Sequence, residues 1–314
     1  MRSGSRGRVA VAPLVLALGA ALLAGGCSSS FALGSPDPGG KIVAVGAESQ
    51  YADVIQQVGG QYVQASAIMS NPNTDPHTFE ASASTGRLVN AARLVVQNGL
   101  GYDTFMDTIE KAVPDSGRRV IVVQKLLGLP DSTPNPHLWY DPATMPKVAT
   151  AIADNLAAIQ PSHAAYFKAN AKSFTSSLQA WINAIGTFKQ HYPGTPVATT
   201  EPVADYLLAA LGADNRTPWA FQADVMNGTD PSAQDVAIER SLFTEHKVTA
   251  FVYNQQVTDS LTESFISLAH ANGIPVVGVY ETMPEPGYDY QSWMVAEVRA
   301  LQRAVTSHVS SEHL

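Results

Sequence analysis

Residues 41–70, KIVAVGAESQYADVIQQVGGQYVQASAIMS, decide the fold. KIVAVGA is a short apolar run of strand length. SQYADVIQQVGG follows, and its Tyr51, Val54, Ile55 and Val58 recur at helical spacing on one face. Gly59 and Gly60 stop that helix as a C-cap would, and QASAIMS reads as the next strand. The same rhythm continues outward. STGRLVNAA is helical, RLVVQNG a strand, YDTFMDTIEKAV helical and RVIVVQ a further strand. Strands alternating with helices imply an α/β fold with a parallel sheet, whose ligands bind in loops at the carboxyl ends of the strands.

The rhythm returns after residue 193. TPVATT, VTAFVY and IPVVGVY read as strands. Between and after them EPVADYLLAALG, PSAQDVAIERSLFTEH, SLTESFISLAHANG and SWMVAEVRALQRAVTSHV read as helices, the last packing through Trp293, Val298, Leu301 and Val305. The first of these helices is expected to open at Thr200 and Pro202, where proline suits a helix start. Between the halves, residues 162–192 form a helical run without internal proline, long enough to span about 40 Å. Two lobes, at 41–161 and 193–314, are therefore expected on either side of one long helix. His163 and His191, at the ends of this run, read as solvated.

Two loops carry the chemistry. NPNTDPHTFE (71–80) and NPHLWYDP (135–142) each set one histidine directly after a proline. Proline fixes its own φ and pushes the preceding residue into extended backbone, so His77 and His137 sit on stiff perches. Asp75 and Asp141 in the same loops suit local turn hydrogen bonds better than metal. In the second half, Glu201 and Glu281 follow strands at comparable places, and would face the histidines if the lobes close on each other. Two imidazoles and two carboxylates balance a divalent cation and offer it four ligands, a set that Zn²⁺ or Mn²⁺ accepts. Alone, Glu201 could equally be a carboxylate favoured by a helix N-terminus, and Glu281 an exposed loop acid. Asn254, in VYNQQ, is placed to hydrogen-bond a liganding group. Trp139 and Trp293 read as core or site-wall aromatics.

These motifs, in this order, resemble the metal-binding lipoproteins of bacterial zinc and manganese ABC importers, the cluster A-I substrate-binding family. The resemblance covers the chain from about Lys41 to the final helix. It implies two α/β lobes joined by a rigid helix, and a single Zn²⁺ or Mn²⁺ carried as cargo to an ABC permease and its ATPase by a monomer. It also implies His77 and His137 as ligands, Glu201 as the third, and an acid after the last strand as the fourth. That acid is usually an aspartate, and here Glu281 stands two residues early, with Asp289 as the alternative. The family's frequent His- and Asp-rich loop is absent.

Composition agrees with an exported carrier. The chain of 314 residues is 45% hydrophobic and 15% charged, and its formal charge of −8 offers no basic patch for nucleic acid. Residues 1–27 pair Arg2, Arg6 and Arg8 with an apolar run, as an export signal does. That run ends in LLAGGCSSS, which resembles a lipobox with Ala24 where leucine is usual. Cys27, the sole cysteine, is then the lipid-anchored residue. Residues 28–40, rich in Ser, Gly and Pro, read as a tether, and the expected location is the outer face of the cell membrane. Two other readings compete: a secreted metallohydrolase, and a surface adhesin with a structural metal. Neither HExxH nor GxSxG occurs, and four ligands would leave a reactive water no place.

Overall fold

Strand β1 (Ile42–Glu48) is buried almost throughout, because it lies between two parallel neighbours and under helices. In the computed structural model, which describes residues 40–72, 79–80, 82–284 and 287–314, β1 leads into α1 (Ser49–Gly59). That helix buries Tyr51, Val54, Ile55 and Val58, the face its spacing predicts. Next come β2 (Val63–Met69), α2 (Ala83–Ala91), β3 (Leu94–Gln97), α3 (Thr104–Ala112), β4 (Arg119–Val122) and α4 (Val123–Leu127). The strands form a four-stranded parallel sheet in the order β2-β1-β3-β4.

The loop bearing His137 precedes α5 (Thr144–Ile159). The helical run expected over 162–192 then appears as α6 (Ala164–Ser177) and α7 (Gln179–His191). They meet at Leu178, whose backbone stays right-handed helical (φ −69°, ψ −8°). Helix α6 packs on α1 and α5, whereas α7 packs on α8 and α12 of the other lobe. The run thus passes from one lobe to the other.

In the second lobe, β5 (Pro196–Thr199), α8 (Asp205–Leu211), β6 (Asp214–Asn215), α9 (Trp219–Met226), α10 (Ala233–Thr244), β7 (Ala250–Asn254), α11 (Ser260–Ala271), β8 (Val276–Val279) and α12 (Tyr290–Ser307) follow. Its parallel sheet has the order β6-β5-β7-β8, which repeats the first lobe's topology strand for strand. Helix α8 begins at Asp205, later than the proline predicts. The chain before it is engaged elsewhere: Asn135 Nδ2 donates to Pro202 O at 2.8 Å, Thr200 N donates to Val252 O at 3.1 Å, and Thr200 Oγ1 accepts from Asn254 N.

One hydrophobic core runs through both lobes. It joins Ile42, Val54 and Leu94 to Val197, Val252 and Val277 by way of Trp139, Trp181, Tyr290 and Trp293. A core shared in this way limits how far the lobes can part, since opening would return apolar surface to water at about 25 cal/mol per Å².

Candidate metal centre

In an open parallel sheet the crevice lies where the strand order reverses, beyond the carboxyl ends of the central strands. Both sheets place that point between corresponding strands, β1 and β3 in the first, β5 and β7 in the second. The loops leaving those strands supply Glu48, Asn98 and Tyr102 from one lobe, Glu201 and Asn254 from the other. His137 and Glu281 arrive from beyond β4 and β8. His77 lies outside the described residues.

His137 and Glu281 meet. Both are fully buried, and His137 Nε2 lies 3.2 Å from Glu281 Oε2. The ring is aimed by Asn135, whose Oδ1 is 2.8 Å from Nδ1 and also accepts the His137 N–H. Because Asn135 Nδ2 is committed to Pro202 O, Oδ1 must face the histidine. Nδ1 therefore carries a proton, and the Nε2 lone pair is left for an ion. Trp139 and Tyr102 pack edge-on against the imidazole.

Glu281 is held from two directions. Tyr102 Oη donates to Oε2 at 2.8 Å, and Asn254 Nδ2 donates to Oε1 at 2.6 Å. Asn254 Nδ2 also reaches Glu201 Oε1 at 3.2 Å, so one amide spans both carboxylates. Burial, and then the Glu281 charge, hold the Tyr102 hydroxyl well above the ordinary phenol range, so it remains a donor. Tyr102 is brought there by a turn in which Gly99, Leu100 and Gly101 all have positive φ. Leucine is disfavoured in that region. The Asp103 carboxylate secures the turn by accepting from Asn98 N and Gly99 N, which offset part of the burial that raises its pKa to about 6.

Asp289 is exposed and caps α12, accepting from Ser292 N at 2.8 Å. The acid beside His137 is Glu281. Asp141 accepts from Ala143 N, a turn bond as its setting predicts. His163 stacks on Tyr62 with ring centres 3.7 Å apart, and His191 is exposed. Among the described residues no three His, Cys, Asp or Glu side chains converge as a metal-holding group. The described part of the candidate centre is the His137–Glu281 pair, joined to Glu201 through Asn254. Donors 3.2 Å apart can share one ion at about 2.0–2.2 Å from each. A cleft of about 330 Å³ opens against Tyr102, lined by Leu100 and Phe105 on one side and Met226 and Asn227 on the other.

Residues 45–304 match the model of the family described as zinc-uptake complex component A, periplasmic. The chain belongs to that family. Among curated relatives of this zinc-uptake family member, the zinc-binding protein TroA of Treponema pallidum is 23% identical over 277 residues, which are 85% of this chain and 86% of TroA. The manganese-binding lipoprotein MntA of Bacillus subtilis is 26% identical over 160 residues, about half of each chain (49% and 51%). Among solved structures, periplasmic zinc-binding TroA superposes with a TM-score of 0.72 at 19% identity, covering 86% of this chain and all of TroA. The Mn-bound periplasmic metal-binding protein of Candidatus Liberibacter asiaticus gives 0.69 at 18% identity, covering 85% of this chain and 100% of its own. The two-lobed fold of the zinc-uptake family is thus the fold of this chain. Among the described residues no helix is long and apolar enough to cross a membrane.

Proposed function

We propose that the protein captures one divalent transition-metal ion, Zn²⁺ or Mn²⁺, between its lobes outside the cytoplasm. It then delivers the ion to an ABC permease driven by an ATPase. The observation that carries this reading is the buried meeting of His137 and Glu281, from different lobes, 3.2 Å apart. In the ligand set we propose, these two are joined by Glu201, which Asn254 links to Glu281, and by His77. Lobes at 41–161 and 193–314, a connector at 162–192, an export signal ending at Cys27 and a lipid anchor on that cysteine complete the proposal. The protein acts as a carrier and not as an enzyme. Release requires a modest shift that breaks one or two ligand bonds, consistent with a shared core that resists wide opening.

The test is metal analysis of purified protein after chelation and reloading, with competitive Zn²⁺ and Mn²⁺ titrations of wild type and His137→Ala. One equivalent bound by wild type is expected, with affinity reduced at least about 100-fold in the variant, or about 2.8 kcal/mol. A wild type that stays empty refutes metal capture.

A further inference from the structure

The two sheets share one topology, so each residue at the end of one strand has a counterpart in the other lobe. Glu201 leaves β5, and the strand in its place in the first lobe is β1, whose last residue is Glu48. The asparagines correspond as well, Asn98 just after β3 and Asn254 at the end of β7. Glu48 thus occupies in the first lobe the position that Glu201 occupies in the second.

Its surroundings are unlike those of an ordinary buried acid. Glu48 is 0% exposed, and neither carboxylate oxygen accepts a hydrogen bond from another residue among the described residues. It stands at the N-terminus of α1, yet its side chain does not cap that helix. The next two residues turn away to hold the Glu281 loop: Ser49 Oγ accepts from Met283 N, and Gln50 Nε2 donates to Glu281 O. Strand β1 pairs with β3 so that Gly46 faces Val96, and the same register sets Glu48 opposite Asn98, at the start of the turn that carries Tyr102 toward Glu281. Burial, then the neighbouring Asp103 carboxylate, push the pKa of Glu48 well above the usual carboxylate range. A carboxylate kept out of water without a partner is strongly disfavoured unless a cation or hydrogen bonds compensate.

We infer that Glu48 is a further metal-facing carboxylate, which gives the captured cation an additional oxygen donor and negative charge and favours Mn²⁺ over Zn²⁺. This inference rests on the metal-capture reading above. Two imidazoles and two carboxylates already fill a tetrahedral zinc sphere. A third carboxylate serves an ion that takes more oxygen donors, as Mn²⁺ does.

The experiment uses chelator-stripped wild type, Glu48→Gln and Glu48→Leu, titrated with Mn²⁺ and Zn²⁺ in competition, together with melting of the metal-free proteins. In both variants Mn²⁺ affinity is expected to fall by about 10–100-fold, and Zn²⁺ affinity by less. The metal-free melting temperature should rise by about 2–4 °C as the unpartnered acid is removed. Unchanged Mn²⁺ affinity with a raised melting temperature would overturn the inference while leaving metal capture intact. So would affinity losses that accompany lowered melting temperatures in both variants, which would mark Glu48 as structural. Wild type that binds neither metal would bring down metal capture and this inference together.

Discussion

Asn98 and Asn254 occupy equivalent places in the two lobes and spend their amides differently. Asn98 binds chain and scaffold: its Nδ2 donates to Pro136 O at 2.8 Å, and its Oδ1 accepts from Tyr51 Oη at 2.6 Å. Asn254 binds chemistry, since its Nδ2 reaches Glu281 and Glu201. The first lobe therefore builds a rigid seat for a histidine, whereas the second positions carboxylates directly. An imidazole needs only its ring fixed and its far nitrogen aimed. A carboxylate has two oxygens and free torsions, and must be restrained at the oxygens themselves.

The largest contrast this predicts lies between Asn254→Ala and Asn98→Ala. Asn254→Ala removes the donor shared by both carboxylates, and a loss of about 10–100-fold in metal affinity is expected. Asn98→Ala leaves the Tyr51 hydroxyl without its acceptor and takes from the Pro136 carbonyl one of its two donors, the other being Leu138 N–H. It should lower folding stability by about 1–3 kcal/mol, with less than a tenfold change in metal affinity, about 1.4 kcal/mol. Calorimetric titration and urea unfolding of both variants measure the two quantities, and the reverse ranking would break the comparison.

Where the lobes touch, the contrast gives way to a shared strap. Tyr140, three residues after His137, donates its hydroxyl to Tyr280 O at 2.8 Å and accepts from Tyr280 N at 3.2 Å. Glu297 lies against the same hydroxyl and accepts from Trp293 Nε1 at 2.8 Å. Burial pushes Glu297 up to about 8, with these donors opposing. Tyr280 precedes Glu281, so the strap holds the facing His137 and Glu281 in register. Tyr140→Phe leaves the buried Tyr280 N–H unpaired, and a stability loss of about 1–3 kcal/mol is expected. Metal affinity should fall too, because His137 and Glu281 lose their common tie. Stability loss with affinity intact would show that the core alone sets their spacing.

How much of this was legible in the sequence follows from the length scale of each signal. The strands and long helices were, because Tyr51, Val54, Ile55 and Val58, or Trp293, Val298 and Leu301, repeat with the helical period and pack inward together. Strand β6, two residues long, has no room for a pattern. Helix α9 carries no helical signal in sequence, because Trp219 at its start is exposed and its apolar residues do not gather on one face. The late start of α8 reflects bonds to Asn135 and Asn254, which are distant in sequence. At the candidate metal centre, the sequence signal for His137 is Pro136, and that for Asn254 is its place at the end of a strand. Glu48 has none. In the string AESQYADV it reads as the polar opening of a helix, and only the tertiary fold deprives it of water and of partners.

Glu239 supplies the control for Glu48. It is the second lobe's buried acid on α10, 0% exposed, with Thr217 Oγ1 donating to Oε1 at 3.2 Å and Oε2 without a partner among the described residues. Burial pushes its pKa up to about 8, against about 4.3 in an unfolded chain. The folded protein thus holds a proton that the unfolded chain sheds. The stability from this group is complete below about pH 4.3, declines as pH rises, and is lost above about pH 8. Glu239→Gln removes that slope. Its metal-free melting temperature should exceed wild type by about 2–4 °C at pH 8, with the gain shrinking toward pH 5. It sits in the middle of a helix and not at the end of a central strand, and its partner is Thr217, so its metal affinities should match wild type. If Glu239→Gln weakened Mn²⁺ binding as much as Glu48→Gln, loss of any buried acid would suffice, and the topological pairing of Glu48 with Glu201 would carry no chemical meaning.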